Sequence, residues 1–262
     1  MKKAIGIVLT IIMVAMLTLP AFASDSPYMA LKAKGLPVDY LDSLSTEMLN
    51  MLYEQIGEND VALVSRQVTV LNETNEGITT YGAISSSSMT LECIVLEIFK
   101  QGTKTVGGVI VGIDWAWQNG KPVFRLTDAL SVNWDASLFA LQEGSFLSQD
   151  KWRLTGTDSW VVSKEYFRPT EANQGGVGYH TQLTKDSNFR TDMGGSTILV
   201  LLPTTTIYDG SSKVTSINVN YIHNKNTIFS SFSFSKVGVG ISINARWPSD
   251  GASDTANYYY SK

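Results

Sequence analysis

Aspartate and tryptophan alternate in Gly112-Ile113-Asp114-Trp115-Ala116-Trp117, and acids with a further indole return in Asp128…Val132-Asn133-Trp134-Asp135. In an extended chain Trp115 and Trp117 fall on one face, and Asp114 and Ala116 on the other. Flat rings stack on the apolar faces of sugars, and carboxylates accept from sugar hydroxyls. Asp114, Trp115, Trp117 and Trp134 are therefore the candidate ligand-binding residues. The same rings have a second use, because indoles bury large areas and fill sandwich cores. Asp114 and Asp128 also have the residue types of a glycosidase acid and base, provided that the fold brings them into one cleft.

Other chemistries find less support. His180 and His223 are the only histidines, and no HxH or HExxH spacing exists. A metal site would need a carboxylate or Cys93 as third ligand. No metal or cofactor is expected, and both histidines read as ordinary polar residues on strand faces. Gly175, Gly176 and Gly178 suggest a turn or bulge, not a phosphate loop: no Lys-Ser/Thr follows, and a strand follows where a helix is needed. There is no GxSxG elbow, and Gly194-Gly195-Ser196-Thr197 lacks the flanking pattern. The acidic stretches 72–77 and 186–192 lack the terminal glutamate of a calcium loop. Asn72-Glu73-Thr74 matches a short glycosylation sequon. With every testable catalytic spacing absent, the expectation is a non-enzymatic protein.

The segment Thr227–Ile243 alternates apolar residues with Ser or Gly, and its phase flips near Lys236. A bulge or a tight reversal there would restore one apolar face. Such a strand pair suits a membrane β-barrel hairpin or a half-buried sandwich strand equally.

The chain has 262 residues, 44% hydrophobic and 17% charged, with Lys+Arg 20 against Asp+Glu 24. That is too apolar for disorder, and a net charge of −4 argues against a partner bound by phosphate neutralisation, so no nucleic acid is expected. Lys2 and Lys3 precede an uncharged run from Ala4 to Leu19, Pro20 breaks it, and Ala21-Phe22-Ala23 has the small-x-small pattern of a signal peptidase site. Residues 1–23 are thus expected to be a signal peptide cut between Ala23 and Ser24. Residues 24–262 then form one mature domain, secreted and with no permanent membrane span. A retained N-terminal anchor is the alternative. Cys93 is the only cysteine, so no internal disulfide forms, and its apolar strand suggests a buried thiol.

Elements that would position these residues follow from periodicity. Leu41, Leu44, Met48, Leu52 and Ile56 make an amphipathic stripe over Pro37–Ile56, with Ser45 as an N-cap and Gly57 as the stop. One broken or two short helices are expected there, a helical cap at about 37–56. After Asp60 the period becomes two. Strands are expected at Val61–Leu71, Thr79–Ser85, Met89–Phe99, Val106–Trp117, Pro122–Leu126 and Leu130–Trp134, with a turn at Asn119-Gly120. More are expected at Trp160–Tyr166, Val177–Leu183, Thr197–Leu202, Val214–Ile222 and Ile228–Ile243. The 28 serines and 24 threonines fall heavily in these stretches, where hydroxyls suit a solvated sheet face. The fold class is mainly β: an antiparallel β-sandwich or open barrel with a short N-terminal helical segment, its body at about 60–245 and a tail at 246–262.

The order of Pro37–Ile56, then Ile113-Asp114-Trp115, then Asp128…Val132-Asn133-Trp134-Asp135, then Arg168-Pro169…Gln174-Gly175-Gly176-Val177-Gly178 resembles a group of uncharacterised secreted proteins of Gram-positive, mainly spore-forming bacteria. The resemblance implies export and a β-rich fold and transfers no site residues. The leading expectation is a non-enzymatic secreted β-rich protein that binds a ligand, not identified by the sequence, at or outside the cell surface, a cell-wall or glycan ligand being one candidate. The alternatives are a membrane-active protein using the hairpin near 227–243, and a secreted glycan hydrolase.

Overall fold

Two of three short helices begin where a serine side chain supplies a cap. In the computed structural model, which describes residues 26–72, 88–118, 127–182 (save 155, 158, 168 and 170), 190–224, 232–234, 241–243 and 249–262, the Ser26 side chain accepts from the Met29 amide and opens α1 (Pro27–Ala33). Helix α2 (Val38–Ser43) follows Pro37, and the Ser45 side chain accepts from the Met48 amide to open α3 (Thr46–Ile56). Gly57 ends α3 at φ +52°, a conformation that favours glycine. The expected pair of short helices is therefore present, and α1 precedes it.

The strands are β1 (Asp60–Asn72), β2 (Ser88–Phe99), β3 (Val106–Gln118), β4 (Thr127–Asn133), β5 (Phe139–Leu141), β6 (Leu147–Leu154), β7 (Trp160–Phe167), β8 (Glu171–Asn173), β9 (Gly176–Gln182), β10 (Arg190–Pro203), β11 (Tyr208–Asn224), β12 (Phe232–Phe234), β13 (Ile241–Ile243) and β14 (Ser249–Ser261). All pairings among the described strands are antiparallel. One sheet runs β1-β2-β3-β10-β6-β7, with β5 beside β10, and a second runs β14-β11-β4-β9-β8. Strands β12 and β13 form a separate pair. The fold is mainly β and sandwich-like, as the alternating pattern implies.

Strands β2, β3 and β10 of the larger sheet serve two cores because successive side chains point to opposite faces. Leu91, Cys93, Val95, Val111, Ile113, Trp115 and Leu199 meet Leu130, Val132, Tyr179, Val219 and Tyr258 of the second sheet. Ile94, Leu96, Ile110, Ile198 and Val200 face the other way and meet Leu31, Leu41, Met48, Leu52 and Ile56 of the helices. Burying an aliphatic side chain contributes about 1.5–3 kcal/mol, so the stripe holds the helices to the sheet. Gly112 lets Tyr40 lie on β3: a Cβ there would sit 2.0 Å from the Tyr40 hydroxyl oxygen. Cys93 is a buried free thiol.

Two expectations need correction. The tail 246–262 is in large part a strand: β14 pairs along β11 and sends Ala256, Tyr258 and Tyr260 into the core. Its first half, Ser249-Asp250-Gly251-Ala252-Ser253-Asp254, carries too little apolar surface to signal a strand. Strand β6 was also not expected, because Gln149 and Lys151 interrupt its pattern; both are buried with partners. The expected strands at 79–85 and 122–126 and the turn at Asn119-Gly120 lie outside the described residues. Among the described residues, no helix is long and apolar enough to cross a membrane, which says nothing of strands.

Candidate functional site

The indole candidates are core residues. Trp115 is 1% exposed, and Trp117 and Trp134 are 0% exposed, between the two sheets. Gly195 accommodates Trp115, since a Cβ there would meet its ring at 2.7 Å. Trp117 Nε1 donates to the Tyr221 hydroxyl at 3.0 Å, and Trp134 Nε1 donates to the Gln174 carbonyl at 2.9 Å. No ring face is left for a sugar, so the expected stacking platform is not formed. Asp114 points to the opposite face of β3, toward the helices, where it takes the Lys151 ammonium and accepts from Ser196 Oγ at 2.6 Å. Asp128 points into the sandwich. The two carboxylates thus lie on different sides of the larger sheet and cannot share one cleft as acid and base.

Asp128 anchors an internal polar cluster. It accepts from the Tyr221 hydroxyl, and its two oxygens lie 3.1 Å from His223 Nδ1. The Trp117 ring packs edge-on against His223 with centroids 4.7 Å apart. Asp128 and His223 are both 0% exposed. Burial, then the Asp128 charge, push the Tyr221 hydroxyl well above its ordinary pKa, so it remains a donor at any working pH. His223 is therefore an interior residue, not the ordinary strand-face residue that was expected. An imidazole held by a carboxylate is the pair that activates nucleophiles. Here the named partners are a phenol and an indole, and solvent does not reach them. The arrangement gives the buried Asp128 carboxylate its partners.

A second polar row lies under the helices. Register places Glu92 opposite Asp114, Asp114 opposite Ser196, and Ser196 opposite Gln149. Like charges side by side repel, and each has its own cation: Arg66 bridges Glu92 and Asp39 of α2, while Lys151 holds Asp114. Burial raises the Glu92 pKa, and Arg66 works against that rise. Arg66 lowers the Asp39 pKa. The Ser45 hydroxyl donates to Gln149 Oε1, and Gln149 Nε2 donates to the Ser163 carbonyl at 3.0 Å. These groups are used up in docking α2 and α3.

The outer face of the second sheet is different. Pairing aligns Gly176, Asn133, Asn218 and Thr255 in one row, and Gly178, Ser131, Asn220 and Ser253 in the next. Ser216 pairs with Asn257, and Val214 with Tyr259. His180 lies on the same face beside Ala129. Among the described residues of β9, β4, β11 and β14 this face carries mainly amides, hydroxyls and glycines, with Val214, Ile222, Ala129 and Tyr259 and without Asp, Glu, Lys or Arg, while at its far edge Glu171 of β8 pairs with Gly178. Thr255 Oγ1 donates to Asn218 Oδ1 at 2.9 Å, and Asn218 Nδ2 donates to Ser216 Oγ at 3.4 Å. Exposure falls across the sheet, from Tyr259 at 52% through half-buried Asn218 and Asn220 to Asn133 at 4% and Ser131 at 0%. Ser131 Oγ and Asn133 Nδ2 have no hydrogen-bond partner among the described residues. A buried polar group without a partner costs about 1–3 kcal/mol, so such groups call for an explanation. Sequence reasoning did not single out this face. Its signal is the alternation in Ser216-Ile217-Asn218-Val219-Asn220-Tyr221 and Thr255-Ala256-Asn257-Tyr258-Tyr259.

No family model matches this chain, and no curated protein matches it. Among solved structures, one described as "AvmM Catalyzes Macrocyclization in Alchivemycin A Biosynthesis" is similar over 43% of this chain and 64% of its own, at 11% identity and a TM-score of 0.21. The match spans less than two thirds of that protein, and a likeness at this level carries no argument about fold or activity.

Proposed function

We propose that the protein is exported and acts outside the cell as a non-enzymatic binding protein, taking an uncharged polysaccharide on the outer face of its five-stranded sheet. The observation that carries this reading is the uncharged amide-and-hydroxyl surface of β11 and β14, flanked by exposed Tyr259. Asparagine amides both donate and accept, which suits the mixed hydroxyl chemistry of sugars. The Tyr259 ring supplies an apolar surface for a sugar face. Binding of this kind needs no ion pairs, so it should be nearly insensitive to salt.

The test is retention of the purified protein on insoluble cellulose, chitin and peptidoglycan at low and high salt. Retention on at least one polymer is expected, unchanged by salt and reduced about tenfold in Tyr259→Ala and in Asn218→Ala. A tenfold loss corresponds to about 1.4 kcal/mol, the scale of one lost stack or charge-free hydrogen-bond pair. Retention equal in all three proteins would remove the face from the account. Failure to bind any of the polymers would remove the glycan reading.

A further inference from the structure

Beside the C-terminal end of α3 a groove opens on the larger sheet. Its inner part is a cavity of about 100 Å³ lined by Gln55, Asn59 and Gln142, with Ile98 and Val200 in the floor. Its outer part, a cavity of about 410 Å³, is lined by Thr105 and Val106 on one side and by Pro203 to Thr206 on the other. Lys100, Gly107 and Leu202 line both parts, so the two meet at Lys100. Gly107 is the extra residue of a β-bulge, because Ile98 pairs with Gly108 and Phe99 with Val106. Having no side chain, it keeps the junction open: a Cβ there would stand 3.4 Å from Lys100 Cγ. The outer part alone has the size of a small-ligand site, about 300–1,000 Å³.

The backbone of both rims is tied down while their side chains stay uncommitted. The Lys100 amide donates to the Thr105 carbonyl at 2.9 Å, and the Thr103 amide donates to the Lys100 carbonyl at 2.9 Å. Across the groove the Thr204 amide donates to the Leu138 carbonyl at 2.8 Å, and the Gln142 amide donates to the Val200 carbonyl at 2.8 Å. The side chains of Gln55, Asn59, Lys100, Gln142, Thr205 and Thr206 have no hydrogen-bond or ion-pair partner among the described residues, although the three carboxamides are half-buried. Carboxamides both donate and accept, as sugar hydroxyls require. One cation and no carboxylate line the groove, and Lys34 Nζ stands beside it, donating to the Asn59 carbonyl at 2.8 Å. Strands β2, β3 and β10 in the floor are paired on both sides, so no free edge is offered to a peptide backbone. From this convergence we propose that the groove is a second binding site, for an acidic oligosaccharide. One uronate carboxylate meets the Lys100 ammonium, and the hydroxyls on either side meet the carboxamides and threonines. The site lies on the other sheet from Tyr259 and does not rest on the neutral-polysaccharide reading.

The experiment is calorimetric titration of the full chain with tetragalacturonate and with its methyl ester, which keeps the ring hydroxyls and removes the charge. Saturable binding of the acid is expected, and it should weaken as salt rises. Lys100→Gln, methyl esterification and Gln55→Ala/Gln142→Ala should each weaken it about tenfold or more, the scale of a charge-assisted hydrogen bond or of two neutral ones. Lys104→Gln alters an exposed lysine that does not line the groove, and it should leave the affinity unchanged, as should Tyr259→Ala. Lys100 is exposed, so Lys100→Gln should keep the parent Tm. No binding at millimolar ligand, equal losses in Lys100→Gln and Lys104→Gln, or a methyl ester that binds as tightly as the acid would each overturn the proposal. Displacement by acetate or inorganic phosphate at concentrations equal to the saccharide would show a site for any small anion and would overturn it too. Retention on neutral polymers does not involve Lys100, so either reading can fail alone.

Discussion

Two buried serines should respond to truncation with opposite signs. Ser131 is 0% exposed, and its hydroxyl has no partner among the described residues. Ser148 is 2% exposed, and its hydroxyl lies 2.9 Å from Thr197 Oγ1, which also bonds the Tyr179 hydroxyl. Ser→Ala removes one oxygen and opens little space at either site. At Ser131 the change relieves an uncompensated desolvation of about 1–3 kcal/mol, so Ser131→Ala should be more stable by about 1 kcal/mol or more. At Ser148 it deletes a made bond, so Ser148→Ala should lose about 1 kcal/mol. Urea unfolding measures both, with an unchanged slope showing that the denatured state is not altered. For a chain of this size each kcal/mol moves Tm by about 2–4 °C. A stabilising loss at Ser131 would mark a buried hydroxyl that the fold leaves uncompensated. Equal destabilisation of the two variants would show that Ser131 is satisfied in the folded protein and would refute this reasoning.

Other outcomes follow from the packing and the charges. Gly112→Ala should cost about 1–3 kcal/mol, because its Cβ would stand 2.0 Å from the Tyr40 hydroxyl oxygen and 2.6 Å from Cζ. In a Tyr40→Leu background that cost should fall below about 0.5 kcal/mol, and a double-mutant cycle reads the coupling. His223→Leu should cost about 3 kcal/mol by stripping a partner from buried Asp128, whereas Asp128→Leu/His223→Leu together should cost less than the single change. Glu97 is held above the usual carboxylate pKa, chiefly by burial and against the donated Tyr258 hydroxyl bond. A raised folded pKa means that the folded state holds its proton longer, so this stability is full below the unfolded pKa, about 4.3, and is lost as pH rises through the folded value. Glu97→Gln should therefore stabilise the protein near neutral pH, and urea midpoints should show the gain vanishing below about pH 4.

Periodicity made most of the scaffold legible. The stripe of Leu41, Leu44, Met48, Leu52 and Ile56, the Ser45 cap and the Gly57 stop can each be read locally, because a helix is organised by neighbours in sequence. The alternation of Val109, Val111, Ile113 and Trp115 likewise declares a strand. Strands such as β6 and the first half of β14 escape this reading because their partners lie far away: Lys151 is satisfied by Asp114, and Gln149 by Ser45 and Ser163. Ring function was illegible for a related reason. Alternation places Trp115 and Trp117 on one face of β3 and does not say whether that face meets solvent or a second sheet. The outer face of β4 and β11 was hidden because Asn133, Asn218 and Thr255 come from three strands, and only the register puts them in one row. The Asp128–His223 contact spans 95 positions and depends on the same long-range pairing.

The most direct test of the central claim is calorimetric titration of the protein with soluble oligosaccharides of cellulose and chitin, run beside Tyr259→Ala. Saturable binding that keeps its affinity from low to high salt and weakens about tenfold without the Tyr259 ring is the predicted result. Binding that collapses with salt, or is indifferent to Tyr259, would contradict it.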